Sequence, residues 1–447
     1  MLTVRNAERL LIDDCTVTTG DLHVVDGRVA GAPAPGNSPE EVPAAEEVLD
    51  ATGCVVTPGL VNAHHHLLQS AFRTLPGTRG VPMADWLPTM AAAYARAGVD
   101  PELCSVAAGI GVAEGLLSGV TTIADHHLTW PAGAGIDFTV AMAQATASAA
   151  QRLGARLAFV RGSARDDPQE AAASAEAIAL ALVPDGSGGV AAGGISIDGM
   201  LQVAVGPAGV HSDSRETFEL LGQVAARYGL RRRTQANEQV DVAIALERYG
   251  RRPIDLLEEW GWLAPEVTLA HLCDVTEEEI QRLAAAGITA THAPGCDLPM
   301  GWGIAPVAAL RAAGIPVGLG TSGGGSNDAG HLLADARLAL QVAPLVGPPL
   351  AALEVLGMAT EGSARGLGRP ELGHLRPGAA ADLCLWDVSG VADAGVDDAV
   401  AGLLWASPGR RPRHVVVAGR VVVRDYRLVA AGERELVGAL HARMGST

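Results

Sequence analysis

The segment His64-His65-His66 closes an apolar run that begins near Val56. On a β-strand successive side chains alternate faces, so His64 and His66 point one way and His65 the other. Two imidazoles on one face at a strand's carboxyl end can share a single metal ion. Further along, just after other apolar runs, come His127, Glu238, His271, His292 and Ser322. Imidazoles, a carboxylate and a hydroxyl are groups that hold a metal or carry protons. A short motif alone is weak evidence, because three histidines can equally sit in a surface loop. The rest of the chain decides.

The elements that must position these residues repeat. Apolar, β-branched runs fall at Cys54–Asn62, Gly119–Asp125, Arg156–Arg161, Leu201–Gly206, Leu230–Ala236, Val267–His271, Ile288–Thr291 and Pro316–Gly320. Between them lie Ala- and Leu-rich stretches with helical spacing, such as Val106–Leu117, Phe218–Arg227, Thr276–Ala286 and Pro306–Ala313. Eight strands alternating with helices predict an α/β protein with a (β/α)8 TIM barrel, whose chemistry belongs at the carboxyl ends of the strands. An open doubly wound sheet is disfavoured, since no Gly-rich phosphate loop follows the first strand. The chain ends read differently. Leu22–Val29 is hairpin-like around Asp26-Gly27, and short strand patterns recur between residues 373 and 425. Both ends are expected to form one small β-sandwich, with residues 1–56 and 366–447 flanking a barrel at 57–365. Ala32–Glu47, rich in Pro, Ala and Glu, reads as an exposed loop.

Composition narrows the function. The net charge of −18 disfavours nucleic acid and anionic membrane as partners. No run approaches about 18 uninterrupted apolar residues, and the first residues lack a signal-peptide core. The 6 cysteines show no CxxC spacing and suit buried free thiols in a reducing cytoplasm. All 32 basic residues are arginine. Without lysine there is no Schiff base and no carbamylated bridge between two ions, so a metal site should be mononuclear.

The ordered segments VTPGLVNAHHH, GVTTIADHH, VTLAHL, GTSGGGSND and LGHLRPGAAADLCLWD resemble the amidohydrolase superfamily across essentially the whole chain. Within it they most resemble heterocycle deaminases and triazine (atrazine-type) hydrolases, the latter through MADWL at 83–87 and DLPMGWGIAP at 297–306. The resemblance implies one divalent metal, zinc or iron, held by His64, His66 and His271, which should converge. It implies Glu238 as general acid and base, and His292 beside the attacking water. Two positions depart from the family pattern. Gln235 stands where a fourth imidazole is usual, and Ser322 where most deaminases have Asp. Such a site should bind metal more weakly.

Gln69, Trp86, His127, Gln235, Trp302 and Asp328 are candidate substrate contacts, with Met300 beside them. His211 is a conceivable substitute ligand. The implied activity is metal-dependent hydrolytic deamination, or displacement of another leaving group, on an N-heteroaromatic ring by a cytoplasmic homodimer. The alternatives are a metal-poor or metal-free relative with changed chemistry (cyclisation, elimination or unusual bond hydrolysis) and a non-catalytic binding protein.

Overall fold

A computed structural model describes residues 1–30 and 47–445. Nine parallel strands form the central sheet: Leu60–His66, Val120–His127, Arg156–Ser163, Leu201–Pro207, Arg231–Ala236, Val267–His271, Thr289–His292, Val317–Leu319 and Ser322–Gly323. They pair in sequence order, and Ser322–Gly323 returns to pair with His65 and His66 of the first strand. The sheet is therefore a (β/α)8-type barrel whose eighth strand is broken in two. The break has a steric cause. A side chain at Gly320 would meet the His64 Cβ at 2.7 Å, so only glycine lets the eighth strand pass the first so closely. The chain then turns through Ser322, whose φ is 55°.

Helices follow the strands with clear local signals. Pro101–Leu117 and Pro168–Leu182 each begin with proline behind an aspartate cap, and Asp100 accepts from the Leu103 N–H. Glu277–Ala285 opens with a capping box between Thr276 and Glu279. At the amino ends of the barrel strands, the helix Ser363–Leu367 packs Ala364 and Leu367 among Val61, Ala124 and Ala158. Among the described residues no helix is long and apolar enough to cross a membrane.

The termini share a second nine-stranded sheet. Its main path runs from Arg427–Leu428 through Arg420–Arg424, His414–Val417, Leu383–Asp387, Cys54–Pro58, Leu2–Leu11 and Val17–Val25 to Arg28–Val29. Glu47–Asp50 pairs alongside Leu2–Leu11. The expected sandwich is thus one continuous sheet with its own apolar core, including Val4, Leu49, Val56 and Leu385. Asp26 and Gly27, at φ 49° and 73°, make the expected tight hairpin turn. The run Cys54–Asn62 is not a single strand. It divides at Gly59, where a side chain would meet Thr121 Oγ1 at 2.2 Å; Cys54–Pro58 joins the terminal sheet and Leu60–His66 the barrel. The expected loop at Ala32–Glu47 lies outside the described residues, except that Glu47 begins a strand.

Candidate active site

The carboxyl ends of the first, second, fifth, sixth and seventh strands carry the expected histidines and their neighbours into one buried cluster. The His64 ring stands between two others, 4.8 Å from His66 and 5.2 Å from His271 by centroid. Each flanking ring is anchored through Nδ1. His66 donates to the His126 carbonyl at 2.6 Å, and His271 pairs with Asp297 Oδ1 at 2.6 Å. An anchored Nδ1–H leaves the lone pair on Nε2, which is how ligating histidines are usually prepared. Burial holds the His64 pKa well below the ordinary histidine value and lowers His66 to about 4, so both rings are neutral and able to ligate. The buried His64 Nε2 has no hydrogen-bond partner.

Gln235 also faces His271. Its amide nitrogen donates to the Ala208 carbonyl at 3.2 Å, which turns Oε1 toward His271 Nε2 at 3.1 Å. With His271 Nδ1 bonded to Asp297, two acceptors then face each other, and a proton or a metal ion must lie between them. Donors sharing one zinc sit about 3.3 Å apart, so the Gln235–His271 spacing suits a shared ion. Burial opposes protonation of His271, yet the Asp297 carboxylate holds its pKa above the ordinary value. His64, His66, His271 and Gln235 are the residues able to hold the ion.

The histidines are held wider than a bound ion would draw them. Among the described residues, His271, Cys296 and Asp297 have donors within 4.8 Å of one another, as do Asp13, Asp14 and Cys15, but not the three histidines together. The first of those groups is the His271–Asp297 hydrogen bond with a thiol beside it. Burial pushes that thiol above its usual range. The second is a partly exposed surface group.

Glu238 is 1% exposed; its Oε1 lies 3.6 Å from His271 Nε2, and neither oxygen has a hydrogen-bond partner. Burial holds its carboxyl well above the usual carboxylate range. Its loop is built around it: Asp241 accepts from the Asn237 and Glu238 N–H groups at 2.8 and 2.6 Å, while Asn237 and Gln239 adopt φ of 56° and 68°. His271 and Leu272 are also left-handed, at 76° and 56°. Backbone strain of this kind concentrates at sites where geometry is imposed by the fold. His292 Nδ1 lies 3.7 Å from Asp297 Oδ2 and is unpaired, with a pKa lowered to about 4 by burial.

Apolar groups border this polar cluster. The Trp302 ring stands 5.1 Å from His271, within a patch that includes Ala293, Cys296, Met83 and Met300. Other candidates lie elsewhere or are otherwise engaged. His127 packs against Trp130 and Phe159 and donates from Nε2 to the Thr129 carbonyl; the neighbouring His126 faces His64 and His66 instead. Gln69 Oε1 accepts from the Gly325 N–H, and Trp86 Nε1 donates to the Gly325 carbonyl, so both brace the loop after the eighth strand. Asp328 pairs with Arg79 and accepts from the Thr74 N–H. Ser322 gives its carbonyl to His65 Nδ1 at 2.5 Å, and its hydroxyl lies by the Cys296 thiol. His211 is buried with Nδ1 unpaired, close to the Gln235 backbone through Gly209. Asp297 and His126 were missed from sequence. Alternation along the second strand implies that His126 and His127 face apart, but Asp297 carries no signal of its own.

A model of the amidohydrolase family matches residues 55–422. The chain is 35% identical to 8-oxoguanine deaminase of Pseudomonas aeruginosa, over 98% of this chain and 99% of the relative. It is 29% identical to an isoxanthopterin deaminase from an unknown prokaryotic organism, over 97% and 95%. Its fold superposes on zinc-complexed atrazine chlorohydrolase from Arthrobacter aurescens TC1 with a TM-score of 0.87 at 34% identity, covering 99% and 100% of the two chains.

Proposed function

The chain belongs to the amidohydrolase family, and from that premise we propose that it hydrolyses an exocyclic bond on an N-heteroaromatic ring, releasing ammonia from an amino-substituted carbon. The observation that carries this reading is Glu238, buried without a partner beside His271 and the other imidazoles. His64, His66 and His271 with the Gln235 amide oxygen would hold a divalent cation of the zinc class, which would supply Lewis acidity at neutral pH. Everything else falls to the chain's own side chains. Glu238, its proton affinity raised by burial, takes the proton from the attacking water and delivers it to the ring nitrogen or leaving group. Asp297 fixes the tautomer and orientation of His271. His292, close enough to interact with Asp297 Oδ2, donates to the oxygen that gains charge. Trp302 and Met300 offer a flat apolar wall to an aromatic ring and keep bulk water out.

The relatives named above act on oxopurine, pterin and triazine rings, and these define the test. Zinc-loaded protein is incubated with amino-substituted members of each class, and ammonia release is followed together with ring oxygenation. Turnover of at least one class is expected; no ammonia and no oxygenated product from any ring would contradict the reading. The second reading, a metal-poor enzyme with changed chemistry, is favoured by the neutral Gln235 and Ser322 and predicts turnover independent of added zinc. A cytoplasmic homodimer is the working assembly, checked by the hydrodynamic mass of the purified protein.

A further inference from the structure

The fifth strand sends Arg231, Arg233 and Gln235 to one face by alternation. Arg231 reaches the Gly366 carbonyl at the amino end of the barrel, and Gln235 reaches His271 at the carboxyl end. Arg233 lies between them, inside the barrel beneath the histidines. Arg232 points the other way, over the Trp262 ring and onto Glu266.

Arg233 is 2% exposed and, among the described residues, pairs with no carboxylate. Burial lowers its pKa to about 9, so it remains a cation at neutral pH. Its Nη2 donates to the carbonyl of Ala63, the residue before His64, while Nη1 has no partner. An unpaired buried guanidinium is costly, and its retention calls for a compensating role.

Two threads lead from it to the first-strand histidines. The side chain holds the Ala63 carbonyl and so the backbone that carries His64. The main chain of Arg233 presses on Gly206, where a Cβ would meet the Arg233 carbonyl oxygen at 1.5 Å. The Gly206 carbonyl in turn accepts from His126 Nε2 at 2.9 Å, and the His126 carbonyl accepts from His66 Nδ1.

We propose that Arg233 is a positioning residue that sets His64 for metal binding, through the Ala63 carbonyl. The inference rests on the metal-dependent reading above. It concerns metal affinity and not substrate, so the choice of heterocycle does not affect its test.

Chelator-stripped wild-type, R233M and R233K proteins are titrated with zinc against a competing chelator. R233M removes the hydrogen bond and should weaken zinc binding by roughly ten- to a hundredfold, the range seen when supporting partners of metal ligands are lost. R233K keeps a donor for the Ala63 carbonyl and should stay within about threefold of wild type. If R233M fails to fold, R233L takes its place with the same expected loss. Zinc binding by R233M or R233L as tight as in wild type, or tighter because a repelling charge is gone, would overturn the proposal, as would an equal loss in R233K. A wild-type protein that takes up no zinc contradicts the metal-dependent reading itself, before any variant is compared.

Discussion

The two ends of the barrel treat charge in opposite ways. At the carboxyl ends of the strands, His64 Nε2, both Glu238 oxygens, His292 Nδ1 and Asp297 Oδ2 are buried without hydrogen-bond partners. At the amino ends, a cleft of about 1190 Å³ opens between the barrel and the terminal sheet, and it is lined by charge. There several of the charges are matched. Arg156 meets Asp382 through two bonds of 2.7 and 3.0 Å, Arg369 meets Glu371 at 2.6 Å, and Arg424 pairs with Glu47. A concentration of unmatched buried groups around one point marks a candidate site, because a ligand, a proton or an ion would offset their desolvation.

The comparison breaks most sharply by swapping one carboxylate at each end for its amide. Glu238→Gln should lower kcat by roughly 10²- to 10⁴-fold, with the melting temperature of the parent retained or exceeded. Asp382→Asn should do the reverse. It strips a buried arginine of its partner and should cost about 3–5 kcal/mol of stability in denaturant unfolding, with kcat little changed. A large loss of turnover from Asp382→Asn, or wild-type turnover in Glu238→Gln, would remove the distinction.

Two smaller effects sharpen it. Asp297→Asn keeps the shape of the His271 partner but removes its charge, and should weaken zinc binding by roughly 10- to 100-fold in chelator competition. Asp125 tests burial without a role in the site. Its pKa is raised from 3.8 to about 7 by burial, although the Leu67 N–H bond opposes the rise. Between those values the unfolded chain has released the proton and the folded chain keeps it, so stability falls as pH rises from about 4 to 7. Asp125→Asn retains an oxygen for the Leu67 N–H. It should flatten that decline, by on the order of 1 kcal/mol at pH 8 relative to the parent, as read from unfolding curves across pH.

Much of the frame was legible from pattern alone. Val267–His271 is a strand over the span its residues suggested, and the alternation at His64–His66 put two rings on one side because the first strand is buried on both faces. What pattern could not supply was set by contacts between distant segments. The division at Gly59 and the break after Leu319 come from Thr121 and His64 pressing on glycines, and neither pressure has a local signature. The same holds within the site. Asp297 reaches His271 only because a short turn, Pro294–Asp297, folds back after the seventh strand. Of the adjacent pair on the second strand, the phase of the barrel sent His126 toward His64 and His66 and His127 to Trp130. Gln235 reads in the sequence as a lost ligand; in the fold its anchored amide oxygen lies 3.1 Å from His271 Nε2, a contact between distant segments that no local pattern announces.

On the proposed function, the groups at the carboxyl ends surround one cation, which His64, His66, His271 and Gln235 would hold. Elemental analysis of protein produced with zinc supplied, and then freed of loosely bound metal, tests it directly. About one zinc per chain is expected in the wild type and close to none in a His64→Ala/His271→Ala double variant that still folds. A folded wild type with no bound metal, or a double variant that binds as much as the wild type, would contradict it.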